Sequence, residues 1–222
     1  MFLGHFGLAL AAKEVAPKAS LGTAILAAEF LDTVWPLFVL AGIETVEVVP
    51  GITKITPLDF TSYPWSHSLA MSIGWGAAFA AVYWLVRRDR RTALWLGALV
   101  VSHWLLDWIV HRPDLPLYPG EAARHGLGLW NSVAVTLVLE FGTLAAGFAF
   151  YLRATRAADR IGSIGPWALV AVLVIIYMGA AFGPPPPSVH VLAFSSLLGY
   201  LFLPFGWWID RHRTPRNGPQ RW

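Results

Sequence analysis

Apolar residues fall in six long blocks along the chain, separated by short polar stretches. The blocks run over about 21–43, 65–86, 92–110, 127–152, 164–182 and 189–209. Each has roughly the 18–20 residues that carry a helix across ~30 Å of hydrocarbon. Barrel strands would alternate apolar and polar positions instead. The pattern predicts an all-α, polytopic membrane helix bundle of six transmembrane helices. Residues 1–16 are too few to span. They either lie on the surface or dip back as a half-helix, which would carry His5 about 12 Å deeper than Lys13 at ~1.5 Å per residue. Residues 1–210 read as one transmembrane domain, with a site-bearing part at 1–152 and the last two helices at 164–209. Residues 211–222 read as a disordered basic tail lying against an anionic leaflet. No internal repeat is evident.

The stretches between blocks differ in kind. "IETVEVVPGITKITPLDFTSYP" and "HRPDLPLYPGEAARHG" are broken by proline and glycine and predict irregular loops on one side. "GPPPPS" predicts a short, stiff turn. Thirteen of the sixteen lysines and arginines fall on the other side, from Lys13 and Lys18 to Arg221. Only Lys54, Arg112 and Arg124 share a side with the proline-rich loops. The positive-inside rule then puts both termini in the cytoplasm, consistent with an even number of spans.

Composition agrees. The chain of 222 residues is 56% hydrophobic and 13% charged, against about 25% charged in an ordinary soluble domain. Its net charge of +3 sits in loops and tail, so it speaks for orientation and not for nucleic acid. There is no cysteine, which excludes disulfides and thiolate metal sites. The N-terminus has no basic stretch ahead of its apolar part, so a cleaved signal peptide is not expected.

The residues that do not belong in such blocks carry the chemistry. His5, Glu29, Asp32, His67, His103, Asp107 and Glu140 lie in or beside the apolar segments. Charged carboxylates there cost at least ~2.5 kcal/mol each at a helix centre, and are read as functional by default. Counted from the cytoplasmic ends at ~1.5 Å per residue, Asp32, His103, Asp107, Glu140 and His67 all fall about 17–27 Å up. They could share one outward-facing cavity. His103, Asp107 and His111 lie on one face by four-residue spacing. Glu29 and Asp32 share another. Ser66 and Ser68 flank His67 at a helix start, where their hydroxyls can cap the helix or orient the imidazole. Trp65, Trp104, Trp108 and Trp130 gather at the same level, as a lipid belt or as walls of a site.

The segments "GHFG", "AEFLDTVWP", "WSHSLAMSIGWG" and "SHWLLDWIVHRPDLPL" together resemble the bacterial inner-membrane metal-dependent hydrolases, a family with an SOS-regulated member. The resemblance covers roughly residues 1–115. It implies a bacterial inner-membrane location and a metal site from His5, Asp32, His67, His103 and Asp107. Ser62–Pro64 stands where family members often carry His-Arg-Gly, and "EFLD" stands for their Pro-Asp-x-Asp.

Imidazole and carboxylate ligands without thiolate suit a divalent metal such as zinc, or manganese or iron. In this reading Glu140 or Glu29 serves as general base. His111, Arg112 and Asp114 line the mouth, with Asn131 nearby, and Arg112 clamps an anionic headgroup. The His-x3-Asp step is also similar in spacing to zinc phospholipase C, which points to a lipid or lipid-linked ester or phosphoester. Membrane lipids are the expected partners. Two other classes fit the same residues: an ion- or proton-coupled transporter, for which Trp35–Pro36 would break the first span, and a non-catalytic scaffold.

Overall fold

A computed structural model describes residues 1–216 and is mostly helical. Among the described residues, five helices are long and apolar enough to cross a membrane. Four are α5 (Leu69–Arg87), α6 (Arg90–Val110), α7 (Val133–Ala154) and α8 (Arg160–Phe182). The fifth, Val189–Arg211, is built from α9 (Val189–Ser196), a 3-10 segment and α10 (Phe202–Arg211). A sixth crossing would need the pair α2 (Leu21–Ala28) and α3 (Phe30–Leu40), which meet at 56°. Large apolar side chains such as Val82, Val138, Ile175 and Leu198 point outward from these helices. A soluble monomer rarely exposes so continuous an apolar surface.

The first expected block is therefore broken, but at Glu29 and not at Trp35–Pro36; Pro36 lies within α3. The second block begins with a single turn, α4 (Pro64–His67), before α5. The fourth begins later than expected, because residues 127–132 form a loop with a short 3-10 turn and α7 opens only at Val133.

The chain is not purely helical. The first proline-rich loop contains an antiparallel hairpin of β1 (Thr45–Val48) and β2 (Leu58–Ser62), with a register shift between Thr45 and Glu47. The expected disordered tail is folded as far as Arg216. There β4 (Arg213–Pro215) pairs with β3 (Thr155–Ala157) directly after α7. Arg213 donates to the Thr155 hydroxyl and the Gly162 carbonyl, so a tail arginine is spent on structure. Arg221 and the rest of the expected tail lie outside the described residues.

Residues 1–16 dip inward. The helix α1 (Leu3–Val15) is buried on nearly every side and packs most closely on α7. Two glycines allow this. A Cβ at Gly147 would collide with the Gly7 carbonyl, and one at Gly7 would press on the Thr143 carbonyl. The two backbones touch, so neither position admits a side chain. At the far end of α1, Lys13 is held by Asp210 (2.6 Å) and the Ala19 carbonyl (2.7 Å). Asp210 also accepts from the Tyr151 hydroxyl and from the Leu21 amide. This buried knot fixes α1 against α2, α7 and α10. The near end of α1 reaches the centre of the bundle.

Candidate metal centre

Four elements deliver imidazoles and carboxylates to one point. α1 brings His5, α3 brings Asp32, α4 brings His67, and α6 brings His103 and Asp107. His111, the residue that ends α6, joins them. His103, Asp107 and His111 do share a face, as their spacing requires. All except Asp32 are buried.

Two overlapping groups bring their ligating atoms within 4.8 Å of one another: His5, His103 and Asp107, and Asp32, His67 and His103. In detail, Asp107 Oδ1 lies 3.1 Å from His5 Nε2 and 3.9 Å from His111 Nε2. Asp107 Oδ2 lies 3.2 Å from His103 Nε2 and 3.8 Å from His67 Nε2. Asp32 Oδ1 lies 3.3 Å from His67 Nε2 and 3.8 Å from His103 Nε2. Ligands about 2.0–2.1 Å from a tetrahedral ion stand roughly 3.3 Å apart. The spacings are of that order. The Met1 nitrogen also contacts Asp107 Oδ1.

Outer partners set which imidazole nitrogen carries the proton. His103 Nδ1 is 2.7 Å from the Ala28 carbonyl, at the end of α2. A carbonyl only accepts, so Nδ1 donates, and in the neutral ring Nε2 is the nitrogen left with the lone pair. The Ser66 hydroxyl donates to Glu44 Oε2 (2.6 Å) and therefore accepts from His67 Nδ1 (2.7 Å). Asp114 accepts from the Tyr63 hydroxyl (2.7 Å) and from His111 Nδ1 (2.9 Å). Burial, with Asp114 adding to it, pushes the Tyr63 phenol well above its usual range, so it stays a neutral donor. In their neutral form three imidazoles thus aim Nε2 lone pairs at carboxylate oxygens, which are also acceptors. His103 Nε2 is buried and makes no hydrogen bond. Acceptor against acceptor is repulsive unless a proton or a cation lies between. Second partners that fix the ligating nitrogen are the usual support of metal-bound histidine.

The surrounding structure serves this arrangement. The Ser68 hydroxyl caps α5 by accepting from the Met71 amide, leaving Ser66 to hold His67. Glu44 also accepts from the Trp65 and Ser66 amides and so anchors the start of α4. The loop after Leu115 straps across the end of α6, where the Gly128 amide donates to the His111 carbonyl. Gly126, at φ +155°, lies so close to the His111 and Arg112 carbonyls that a Cβ would collide with them. Replacing Ser66 with alanine should weaken metal binding roughly 10- to 100-fold, as loss of an outer partner typically does. Zinc competition titration reads the loss, and unchanged melting separates it from unfolding.

Two small cavities flank Asp32. One, of about 200 Å3, is lined by His67, Asp107, His111 and Trp130 together with Ile176 and Tyr177 of α8. The other, of about 220 Å3, is lined by Glu29 and Trp35 together with Leu192, Tyr200 and Phe202. Both include Phe2, Leu58 and Phe60. The Asp32 side chain is 42% exposed, the open edge of an otherwise closed cluster. The ligating atoms all come from residues 1–152, but the walls draw on the last two long helices as well.

The remaining candidates separate. His111 is not at an open mouth; it is buried within the cluster. Asp114 orients it. Arg112 contacts Asp59, and its Nε lies 3.4 Å from Asp114, so its charge is taken up by the loops. Asn131 is exposed and lines neither cavity. Glu140 accepts from the Phe2 amide and the Gly4 amide, both at 2.9 Å. It satisfies the free N–H groups at the start of α1 and complements the helix dipole there. Glu29 sits at the α2–α3 break, buried, with Oε1 making no hydrogen bond. Trp130 lies 4.0 Å from the His111 ring, centroid to centroid, and is a wall of the site; Trp104 is buried, while Trp65 and Trp108 face outward as a belt would. Glu44 and Tyr63 were not foreseen, being an ordinary loop acid and an ordinary loop aromatic in sequence.

Compared with protein-family models, curated proteins and solved structures, the chain matches none.

Proposed function

We propose that the chain is a multi-pass inner-membrane protein, with both termini cytoplasmic, that binds a divalent cation and hydrolyses an ester or phosphoester bond of a lipid or lipid-linked molecule. The observation that carries this reading is the set of three Nε2 atoms turned toward two carboxylates by three unrelated outer partners on Nδ1. A structural His–Asp bridge needs one such pair; three imidazoles fixed in the same sense serve a ligand. Zinc fits the donor set best, with manganese or iron next. The resemblance of residues 1–115 to metal-dependent membrane hydrolases supports the same conclusion.

When bound, the cation supplies Lewis-acid polarisation of an ester oxygen and acidifies water. The chain's own residues do the rest. His5, His67, His103, Asp32 and Asp107 hold the ion. Asp32, at the cavity edge, faces the reacting bond. Glu29 is the candidate proton acceptor, since one of its oxygens is uncommitted. Phe2, Phe60, Trp35 and Phe202 give the walls an apolar character that accepts acyl chain and excludes water.

The test is purified full-length protein in nanodiscs, offered mixed glycerophospholipids and scored by mass spectrometry. Metal-dependent release of products is expected, abolished by His103→Ala. Glu29→Gln should keep the metal and lose at least about 100-fold in kcat, in line with loss of general-base catalysis. Lipids left intact by metal-loaded protein would remove the hydrolase reading. One observation favours a second reading: the span broken at Glu29, beside Asp32, is the kind of discontinuity that carriers place at an ion site. Ion flux into vesicles that is lost in Asp32→Asn, without hydrolysis, would establish it.

A further inference from the structure

We propose that the centre holds two cations, bridged by the Asp107 carboxylate, and that His111 is a ligand of the second. This rests on the reading of the cluster as a cation site and deepens it. The two oxygens of Asp107 serve different neighbours. Oδ2 faces His103 and His67, which also meet Asp32 Oδ1. Oδ1 faces His5 and His111, and the Met1 nitrogen also contacts it. That divides the donors into one position formed by Asp32, His67, His103 and Oδ2, and another formed by His5, His111 and Oδ1, which admits an ion once the Met1 amine withdraws from Oδ1 or gives up its proton.

The imidazoles of His5 and His103 reinforce the division. Their rings stack with centroids 3.6 Å apart and planes at 8°. Their Nε2 atoms meet opposite oxygens of one carboxylate. Parallel rings at that separation, each serving its own ion, match the roughly 3.5–4 Å between ions in two-metal sites. His111 is built as a ligand is built. It is buried, its Nδ1 proton is committed to Asp114, and Asp114 is itself held by Tyr63. The Trp130 ring packs beside it. No surface histidine needs such support. A pair of ions also matches the proposed substrate class, because two ions stabilise both the attacking and the leaving oxygen of a phosphoester.

The test counts zinc. Purified full-length protein, stripped with chelator and equilibrated with excess zinc, should retain two ions per chain. His111→Ala should retain one, His67→Ala one, and Asp107→Ala none. In zinc-loaded wild type, X-ray absorption should show zinc–zinc scattering near 3.5 Å, which keeps the proposal testable should a variant fail to fold. One ion per chain in wild type, unchanged in His111→Ala, overturns the proposal and leaves the hydrolase reading standing. Two ions in His111→Ala overturn the assignment of His111. Two ions in wild type with no hydrolysis uphold the proposal and remove the hydrolase. No ion in any protein overturns both.

Discussion

Asp107→Asn protein is expected to fold, insert and carry no metal. Asp107 is the one residue whose oxygens meet all four imidazoles of the cluster, from 3.1 Å at His5 to 3.9 Å at His111. The amide keeps the shape of the side chain but loses its charge and one acceptor. Affinity should fall by more than about 100-fold, since even loss of an outer partner costs 10- to 100-fold. The fold should survive with a lowered melting temperature: the buried Met1 nitrogen loses its charged partner, but the knot at Lys13 and Asp210 and the α1–α7 contact are elsewhere. Metal content after dialysis, set beside the melting curve, checks both halves. A variant that keeps its metal would mean that other residues hold the ion.

The second large effect is predicted at a residue that touches no ligand. Gly147→Val should displace α1 from α7, because the Gly7 carbonyl occupies the space where a side chain would go. Overpacking usually costs 1–3 kcal/mol. Backbone against backbone cannot yield as a side chain can, so a loss of about 3 kcal/mol or more is expected. α1 carries His5, and Glu140 binds its first turn, so the variant should lose metal as well as stability. Gly142→Ala is the control on the same helix, with open space at its Cβ. Equal melting temperatures for Gly147→Val and Gly142→Ala would show that the helix contact is not what holds the centre together.

Much of this centre was legible in the chain. Ionisable residues in apolar blocks are costly, so His5, Asp32, His67, His103 and Asp107 stood out; depth and helical phase grouped all but His5, which the family resemblance added to the set. Ser66 and Ser68 were legible as a pair that could cap or orient, and each does one of these. The break at Glu29 was not. Trp35–Pro36 is the stronger local signal, yet Pro36 is accommodated inside α3, and the bend falls where the Ala28 carbonyl meets His103. His111 was misplaced for a similar reason. Counting along a helix puts it near the outer end, but it does not reveal that the 45–62 hairpin and the 112–131 loop fold over that end and bury it. Glu44 and Tyr63 act across 22 and 51 residues of chain, on Ser66 and Asp114. Such pairings follow from loop packing, which periodicity does not encode. Glu140 was found as an intramembrane acid, but its use is to cap a helix that only the folded chain brings to it.

The most direct measurement is the zinc content of full-length protein equilibrated with the metal across a range of pH. Protons compete with the ion for the histidine nitrogens, so binding should be full near pH 7.5 and fall steeply as the pH drops below about 6. Stoichiometric zinc with that pH dependence, absent in Asp107→Asn, is the predicted result. Background zinc at every pH in well-folded protein would contradict the assignment of the cluster as a metal centre.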